Sequence, residues 1–304
     1  MARSSLDRRF DRILAAEEAG KLTSRSGSRA LRKLLGNHLA VIGLLIFGII
    51  LLASIFAPLL TGHDPLKINL RAILQPPSAE HWFGTDTTGR DVFARVLYGG
   101  RISILVGLGS ALIAAIIGVG IGSYAGYKGG WIDVIAMRIS EIFMSFPQII
   151  LVLLLVSIIG QSLFNLIVIF VASGWGTMFR MSRARMLSLR EEEYVQALKS
   201  FGLSTARICY KHILPNALGP IMVNITLTTA MFILAEAGLS FLGLGVPLNI
   251  PTWGNILNVA QDLRVLQNNW WMWLPVGLII SLFVLSVNFI GDGLRDSTDP
   301  SQQG

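Results

Sequence analysis

Residues 102–126 read ISILVGLGSALIAAIIGVGIGSYAG and contain no charged side chain. A helix rises 1.5 Å per residue, so a run of about this length crosses the roughly 30 Å hydrocarbon core of a bilayer. Small residues recur three or four positions apart and predict one smooth face that a neighbouring helix can approach closely. Tight packing explains such a face, and movement of the helix during gating is a second explanation. The small residues are Ala111, Ala114, Gly118, Gly122 and Gly126.

Apolar runs of similar length recur along the chain. Hydrophobic residues make up 53% of it and charged residues only 14%. This composition predicts an all-α, polytopic membrane protein with six transmembrane helices in a domain of residues 39–291. Pro147 in the third run and Pro220 in the fifth each remove a backbone hydrogen bond and predict helix kinks. The predicted spans are 39–60, 102–126, 135–160, 163–182, 217–246 and 272–291.

Basic residues give the chain a formal charge of +7 and are concentrated in particular loops. Nine Lys and Arg precede the first span, and seven more lie within 180–211. The positive-inside rule therefore predicts that the N-terminal tail (1–38), the loop 183–216 and the C-terminal tail (292–304) are cytoplasmic. Topology explains the charge, so no nucleic acid partner is expected. The other loops, 61–101 and 247–271, are predicted to be external, although 61–101 holds five basic residues beside four acidic ones.

Segment 193–216 of the cytoplasmic loop reads EYVQALKSFGLSTARICYKHILPN. Ser188 and Glu191 before it have the spacing of a capping box, which predicts that a helix starts near them. Gly202 breaks the helical pattern and can adopt positive φ, and Ser204 can cap a second short helix. The segment is therefore predicted to form a helix, a hinge and a second helix.

Apolar side chains form a stripe on the first of these helices. Tyr194, Leu198 and Phe201 follow the i, i+4, i+7 spacing of one helix face, with Val195 beside them. A thin loop cannot bury these side chains within itself, which favours docking of the helix into a groove of a cytoplasmic partner. Packing against the chain's own helix ends, or against lipid, is the alternative.

The pattern QALxxxG at Gln196–Gly202, followed by Leu214 and Pro215, resembles the EAAxxxG…LP loop by which permease subunits of ATP-binding cassette importers grip their ATPases. Gln196 stands where that motif usually has Glu, and Leu198 where it has its second Ala. Loss of the carboxylate is expected to weaken one ionic contact with the ATPase, and the larger Leu to deepen the apolar contact. The resemblance implies these coupling residues: Glu193, Tyr194, Gln196, Ala197, Leu198, Phe201, Gly202, Leu214 and Pro215.

Further motifs resemble the second permease subunit of dipeptide, oligopeptide and nickel importers over about residues 30–300. The resemblance implies a type I importer fold, in which two homologous permeases form one pore in the bacterial inner membrane. It also implies two ATPase subunits that hold ATP and Mg, and an extracytoplasmic solute-binding protein. The motifs are GTDxxGRD (Gly84–Asp91), YGGRIS (Tyr98–Ser103), LSFLGLG (Leu239–Gly245), PxWG (Pro251–Gly254) and GDxLRDxxDP (Gly291–Pro300).

Polar residues near and within the spans give two further expectations. Asp91 and Arg95 are four residues apart, so Asp91–Tyr98 is predicted to form an interfacial helix before the second span. Glu236 lies in the fifth apolar run, where an ionised carboxylate is costly. A structural hydrogen-bonding role is favoured for Glu236, and a place in the pore is the alternative.

Catalytic motifs are absent from the sequence: it contains no GxxxxGK(S/T), HExxH or GxSxG. The four histidines lie far apart in sequence, so no catalytic residue, metal site or cofactor is expected in this chain. With this absence, the resemblance implies a non-enzymatic permease subunit for short peptides, with glutathione or chelated nickel as alternative solutes. A self-sufficient secondary transporter or channel is the alternative from another class, and it would need several intramembrane ionisable residues. The histidines are His38, His63, His81 and His212.

Overall fold

A computed structural model describes residues 32–298, and helices fill most of this range. Within it, the only extended pairing is an isolated bridge between Thr85 and Asp91. Short 3-10 turns cover Leu70–Ala72, Asn258–Gln261 and Trp270–Met272. The helices are α1 (His38–Ile55), α2 (Ala57–Leu60), α3 (Val92–Lys128), α4 (Gly130–Met144), α5 (Gln148–Ile159), α6 (Leu163–Leu189), α7 (Glu193–Ser200), α8 (Thr205–Phe241), α9 (Trp253–Leu257), α10 (Leu263–Asn268) and α11 (Leu274–Thr298).

Five helical regions are long and apolar enough to cross a bilayer: α1, α3, α6, α8 and Trp270–Ser297, which contains most of α11. Helices α4 and α5 are long and apolar enough to cross a bilayer only when taken together, and they are bent by 87° at the break between them. Counted as one span, this pair brings the number to the predicted six, with the third span broken rather than kinked. Pro147 immediately precedes α5, where its missing N–H and its restriction of Phe146 end the helix before it.

The N-terminal part of α3 corrects the predicted interfacial helix Asp91–Tyr98, because α3 runs unbroken for 37 residues. Asp91 caps this helix, and its Oδ1 accepts the N–H of Ala94 at 2.6 Å. Arg95 forms its ion pair with Asp86 instead of Asp91. An N-cap carboxylate turns back toward the free N–H groups of the first turn, so it is poorly placed to pair with a side chain four residues on.

Two other predicted boundaries also shift. α11 continues to Thr298 and includes the beginning of the predicted tail 292–304. α6 continues to Leu189 and includes the beginning of the predicted loop 183–216. Hydropathy marks where the apolar run ends, whereas a helix can continue beyond the hydrocarbon as long as its backbone bonds are made. Most of the predicted N-terminal tail lies outside the described residues.

The small residues of α3 form the predicted smooth face, and this face packs against α6. A Cβ atom at Gly118 would collide with the carbonyl of Trp175, and one at Gly122 would collide with the carbonyl of Phe179. At Gly126 an added Cβ would lie 2.8 Å from the Arg183 carbonyl. The absence of side chains at these three positions lets the two backbones approach closely.

Polar side chains tie α1 to its neighbours at both of its ends. Asn37 caps the N-terminus of α1, and its Nδ2 donates to Asp296 Oδ2 at 3.1 Å. At the C-terminus, Arg101 donates to the carbonyls of Ser54 and Ile55, both at 2.6 Å. A guanidinium at the end of a helix satisfies carbonyls that have no intrahelical partner.

The helices carry two polar regions at opposite ends of α3. Residues 61–91 and 246–273, here called the cap, meet its N-terminal end, where the Val92 N–H donates to Gly84. Residues 193–216, here called the hairpin, meet its C-terminal end, where Tyr127 packs with the hairpin. At about 1.5 Å per residue, 37 residues make α3 about 56 Å long. The cap and the hairpin are therefore separated by more than the thickness of a bilayer core.

The contact between α3 and α6 yields a test of the fold. Gly122→Ala places a Cβ against the α6 backbone and should lower the free energy of unfolding by about 1–3 kcal/mol through overpacking. Gly120→Ala is the matched control, because nothing lies within 4 Å of its added Cβ. The control should be neutral or slightly stabilising, since alanine is the better helix former. Thermal unfolding of the purified variants measures both effects, and equal stability of the two would contradict this packing.

Candidate functional site

The hairpin has the predicted order of helix, hinge and helix. α7 covers Glu193–Ser200, and Gly202 follows with φ of +76°. The Gly202 N–H donates to Lys199 O at 3.0 Å, and the Leu203 N–H donates to Leu198 O at 3.3 Å. These two bonds, with a glycine in the left-handed region, form a Schellman motif that ends α7. The chain then enters α8 at Thr205 without a long connection.

The start of α7 differs from the predicted capping box. α6 ends at Leu189, and Glu192 occupies the N-cap position of α7 without a side-chain cap bond. Gln196 Nε2 donates to the carbonyl of Arg190 at 3.1 Å, which joins α7 to the end of α6. A carboxylate has no hydrogen to donate when ionised, so Glu could not make this bond. Gln196, a departure from the usual motif, thus makes a contact inside this chain.

The residues of the predicted apolar stripe lie on two faces of α7, one packed inward and one exposed. Val195 is fully buried in a cluster with Cys209, and Leu198 packs partly buried against the same cluster. Phe201 is 81% exposed and Tyr194 is 40% exposed. The chain's own helix ends therefore bury one part of the stripe, while the other part faces away. Helical spacing alone could not separate these two faces. Their side chains differ in direction by only about the angle between successive residues of a helix, so they belong to one broad apolar stripe.

The other predicted coupling residues occupy both faces of the hairpin. Glu193, Gln196, Ala197 and Gly202 are exposed. Leu214 is half-buried against the cluster that holds Val195, whereas Pro215 is exposed. The six residues before Leu214, Ile208–Ile213, form a π-helical turn in α8. Residue Pro215 follows this turn and has no N–H for a regular intrahelical bond.

Glu236 lies at the other end of α8, fully buried in a hydrogen-bond network. Its Oε1 accepts the hydroxyl of Ser240 at 2.8 Å, and its Oε2 accepts the hydroxyl of Ser103 at 3.1 Å. Ser103 Oγ also accepts the backbone N–H of Trp253 at 3.0 Å. The network joins α3, α8 and the first residue of α9. This geometry favours the structural role predicted for Glu236, because its carboxylate is bonded and closed off from solvent.

The cap is organised around Asp86 of the GTDxxGRD motif. Its carboxylate accepts the N–H groups of Thr88 at 2.8 Å and Arg90 at 3.0 Å, and it pairs with the side chains of Arg90 and Arg95. Burial by itself would raise the pKa of Asp86, but the charge of Arg95 and the bonds from Arg90 and Thr88 outweigh it. The pKa of Asp86 therefore lies below its usual value. The motif fixes the turn that starts α3.

Two histidines that are far apart in the sequence meet in the cap. The rings of His63 and His81 have centroids 4.9 Å apart. His81 Nδ1 lies 2.8 Å from Asp91 Oδ2, and both residues are buried. A linear sequence gives no signal for this meeting, because it depends on how the loop after α2 folds over the start of α3.

Comparison with known families gives two matches that together cover most of the chain. Residues 118–303 match the family described as Binding-protein-dependent transport system inner membrane component. Residues 27–77 match the N-terminal TM domain of oligopeptide transport permease C. The first match contains the hairpin, Glu236 and their connecting helix α8.

Curated relatives align over nearly their full length. A putative peptide permease protein of Brucella suis biovar 1 is 44% identical over 273 residues, which cover 90% of each chain. The oligopeptide transport system permease protein OppC of Bacillus subtilis is 41% identical over 290 residues, 94% of each chain. The dipeptide transport system permease protein DppC of Bacillus subtilis is 43% identical over 271 residues, 89% of this chain and 84% of that protein.

A solved structure of the MetNI methionine ABC transporter, in an inward-facing conformation, has a similar fold. One of its chains matches with a TM-score of 0.52 and 20% sequence identity. The match covers 67% of the present chain and 96% of the other. At this identity the likeness concerns the fold.

The Glu236 network yields a test of the structural role. Glu236→Ala leaves the hydroxyls of Ser103 and Ser240 without their acceptor and should lower the free energy of unfolding by about 1–3 kcal/mol. Glu236→Gln keeps one acceptor oxygen and puts an NH2 donor in place of the other, to which a serine hydroxyl can turn as acceptor, so it should retain most of the stability and transport. The measurements are thermal unfolding of the purified protein and solute uptake in membranes.

A matched control for Glu236→Ala is Glu141→Ala, which removes a partly exposed carboxylate paired with Arg138 at 2.8 Å. Pairs of this kind contribute about 0–1 kcal/mol, so the control should change stability little. A Glu236→Gln variant that assembles normally and transports nothing would contradict the structural role and place the carboxylate in the solute path.

Proposed function

This chain belongs to the family of binding-protein-dependent transport system inner membrane components, and from that premise we propose that it is a permease subunit of an ATP-driven importer of short peptides. Relatives named as peptide, oligopeptide and dipeptide permeases, each more than 40% identical, support the peptide as solute. Glutathione and chelated nickel remain the alternative solutes. The family membership favours an importer over a self-sufficient secondary transporter or channel.

The observation that carries the proposed coupling is the exposed face of the hairpin. Phe201 presents an aromatic side chain to the exterior at the end of a helical bundle, beside exposed Tyr194 and Ala197. Large apolar side chains exposed on a short amphipathic helix are typical of docking into a groove. We assign the groove to an ATPase subunit, which would hold the ATP and Mg. The hairpin is therefore the handle by which ATP-driven closure moves the permease.

α8 offers a direct mechanical route from the hairpin to the cap. The π-helical turn Ile208–Ile213 is packed into the hairpin cluster, and Glu236 lies on the same helix about 40 Å further on. There the network through Ser103 and Trp253 joins α8 to the cap. Displacement of the hairpin by the ATPase would tilt α8 and shift its junction with the cap. This motion would alternate the pore between inward-open and outward-open states without a tight solute site in this chain.

The remaining partners follow from the family's mode of action. A homologous permease subunit would complete the pore, and a second ATPase would serve that subunit. A solute-binding protein would dock on the cap side and deliver the peptide. The exposed apolar residues along α1, such as Leu45 and Ile49, would face membrane lipid or the second permease.

The proposed orientation places the hairpin and both chain termini in the cytoplasm and the cap outside the bacterial inner membrane. The basic residues before α1 and around the hairpin support it through the positive-inside rule. Asn37 and Asp296 lie at the same end of the bundle, which agrees with termini on one side.

Phe201→Asp tests the coupling handle. Because Phe201 is 81% exposed, the change should leave the stability of the chain almost unaltered. A charge on the docking face should nevertheless abolish co-purification of the ATPase and uptake of peptide. Both are measured in one membrane preparation. Leu66→Asp in the cap, where Leu66 is also exposed, is the matched control and should leave the ATPase bound.

Two further variants separate docking from folding of the hairpin. Leu198→Asp puts a charge into the chain's own cluster, so it should lower thermal stability as well as coupling. Gly202→Val requires a β-branched residue at φ of +76°, a strain of about 1–2 kcal/mol, yet meets no atom within 4 Å inside this chain. If Phe201→Asp and Gly202→Val both keep the ATPase bound and uptake intact, the hairpin is not the handle.

Cysteine labelling tests the orientation. Ser204 in the hairpin and Ser78 in the cap are both exposed, and the native Cys209 is buried. In intact cells an impermeant thiol reagent should label Ser78→Cys and leave Ser204→Cys unlabelled until the membrane is opened. The unsubstituted protein is the control for Cys209. Labelling of Ser204→Cys from outside would reverse the topology. A third position, Ser26, lies outside the described residues and should behave like Ser204.

A further inference from the structure

We propose that His63, His81 and Asp91 form a binding site for a divalent cation of the zinc class in the cap. Each residue offers one ligand atom, and the three atoms lie within 4.8 Å of one another. Two imidazoles and one carboxylate are a ligand set that suits Zn²⁺ and the neighbouring transition metals better than Ca²⁺ or Mg²⁺. The proposal concerns the cap and does not depend on the solute or on the ATPase.

The spacing of the ligand atoms is close to what a metal ion requires. Zn–N and Zn–O distances are about 2.0–2.2 Å, so tetrahedral ligands lie roughly 3.3 Å apart. His81 Nδ1 and Asp91 Oδ2 are 2.8 Å apart and share a hydrogen bond. A bound cation would replace the shared proton and draw His63 inward by about an ångström. Side-chain rotation of a half-buried histidine in a loop can supply such a movement.

Neighbouring groups already orient two of the three ligands. Asp91 Oδ1 is held by the N–H of Ala94 at 2.6 Å, which leaves Oδ2 directed to the histidines. His63 Nε2 lies 3.0 Å from the carbonyl of Glu80, a bond that places the proton on Nε2 and leaves Nδ1 as the atom that can bind a cation. A second bond of this kind is the usual support for a metal-binding imidazole or carboxylate.

A small cavity adjoins two of the three ligands, His63 and Asp91, and leaves room for a fourth ligand. It has a volume of about 140 Å³, and His63, Asp91 and Glu80 are among the residues that line it. A water molecule occupies about 30 Å³ in the liquid, so the cavity accommodates a water on the ion. The fourth position is thus open to solvent or to a donor group of a docked protein.

Binding of the cation would fasten three separate parts of the cap. His63 lies in the loop after α2, His81 in the turn before the GTDxxGRD motif, and Asp91 at the N-cap of α3. A ligand that binds only the folded state stabilises that state in proportion to its occupancy. The cation would therefore brace the surface that receives the solute-binding protein in the proposed importer.

Zinc content and thermal stability of the purified complex test the proposal. The complex, isolated through a tag on this chain, is stripped with EDTA, equilibrated with Zn²⁺ and freed of unbound metal. Mass spectrometry of the metal should then count one more Zn²⁺ per copy of this chain in the native protein than in His63→Ala. Zn²⁺ should also raise the melting temperature of the native complex, and the rise should be smaller for the His63→Ala complex.

Two matched variants keep the result specific. Asp91→Asn retains an N-cap residue but supplies a much weaker ligand, so it should fold and lower the Zn²⁺ affinity at least tenfold. His38→Ala removes an exposed histidine at the other end of the bundle and should leave zinc binding unchanged. Equal zinc content in the native, His63→Ala and Asp91→Asn proteins would overturn the site, leaving His81 and Asp91 as a hydrogen-bonded pair. The same zinc loss in His38→Ala would also overturn it.

Discussion

A bilayer core offers no water to the peptide backbone, and this constraint governs the rest of the structure. Every N–H and C=O in that layer must find its partner within the protein, which restricts the spans to helices. Two of them, α3 and α8, each run for 37 residues and so extend well beyond the hydrocarbon. Their projecting ends carry the cap and the hairpin. The length of these helices thus joins a membrane fold to surfaces that other proteins can reach.

Two buried carboxylates show how the chain satisfies polar groups away from water. Glu236 accepts hydroxyls from two helices and, through Ser103, connects with the N–H of Trp253. Asp86 is surrounded by N–H groups and guanidinium groups in the cap. Each carboxylate organises a junction where several chain segments meet, because leaving its donors unpaired in a low-dielectric region would be costly.

The sequence was sufficient for features that depend on local chemistry. The apolar runs identified the spans, the small residues of α3 identified a face for close helix contact, and Gly202 identified the hinge. Features that depend on distant partners were missed. The pairing of Arg95 with Asp86 rather than Asp91 requires the cap turn, and the inward packing of Leu198 requires the cluster around Cys209. Periodicity shows which residues share a face, but it does not show what that face contacts.

The hairpin contacts both α6 and α8, so a force on the hairpin acts on two helices. Val195 and Leu198 pack against the start of α8. Gln196 donates a hydrogen bond to the carbonyl of Arg190, the residue that caps the C-terminus of α6. A push on Phe201 would therefore act on α6 and α8 together. α6 is in turn held to α3 along the glycine face and by the hydrogen bond between Ser123 and Ser182. In the proposed importer these helices would tilt as one body, and α4 would follow α6 because Arg183 donates two hydrogen bonds to the Asp133 carboxylate.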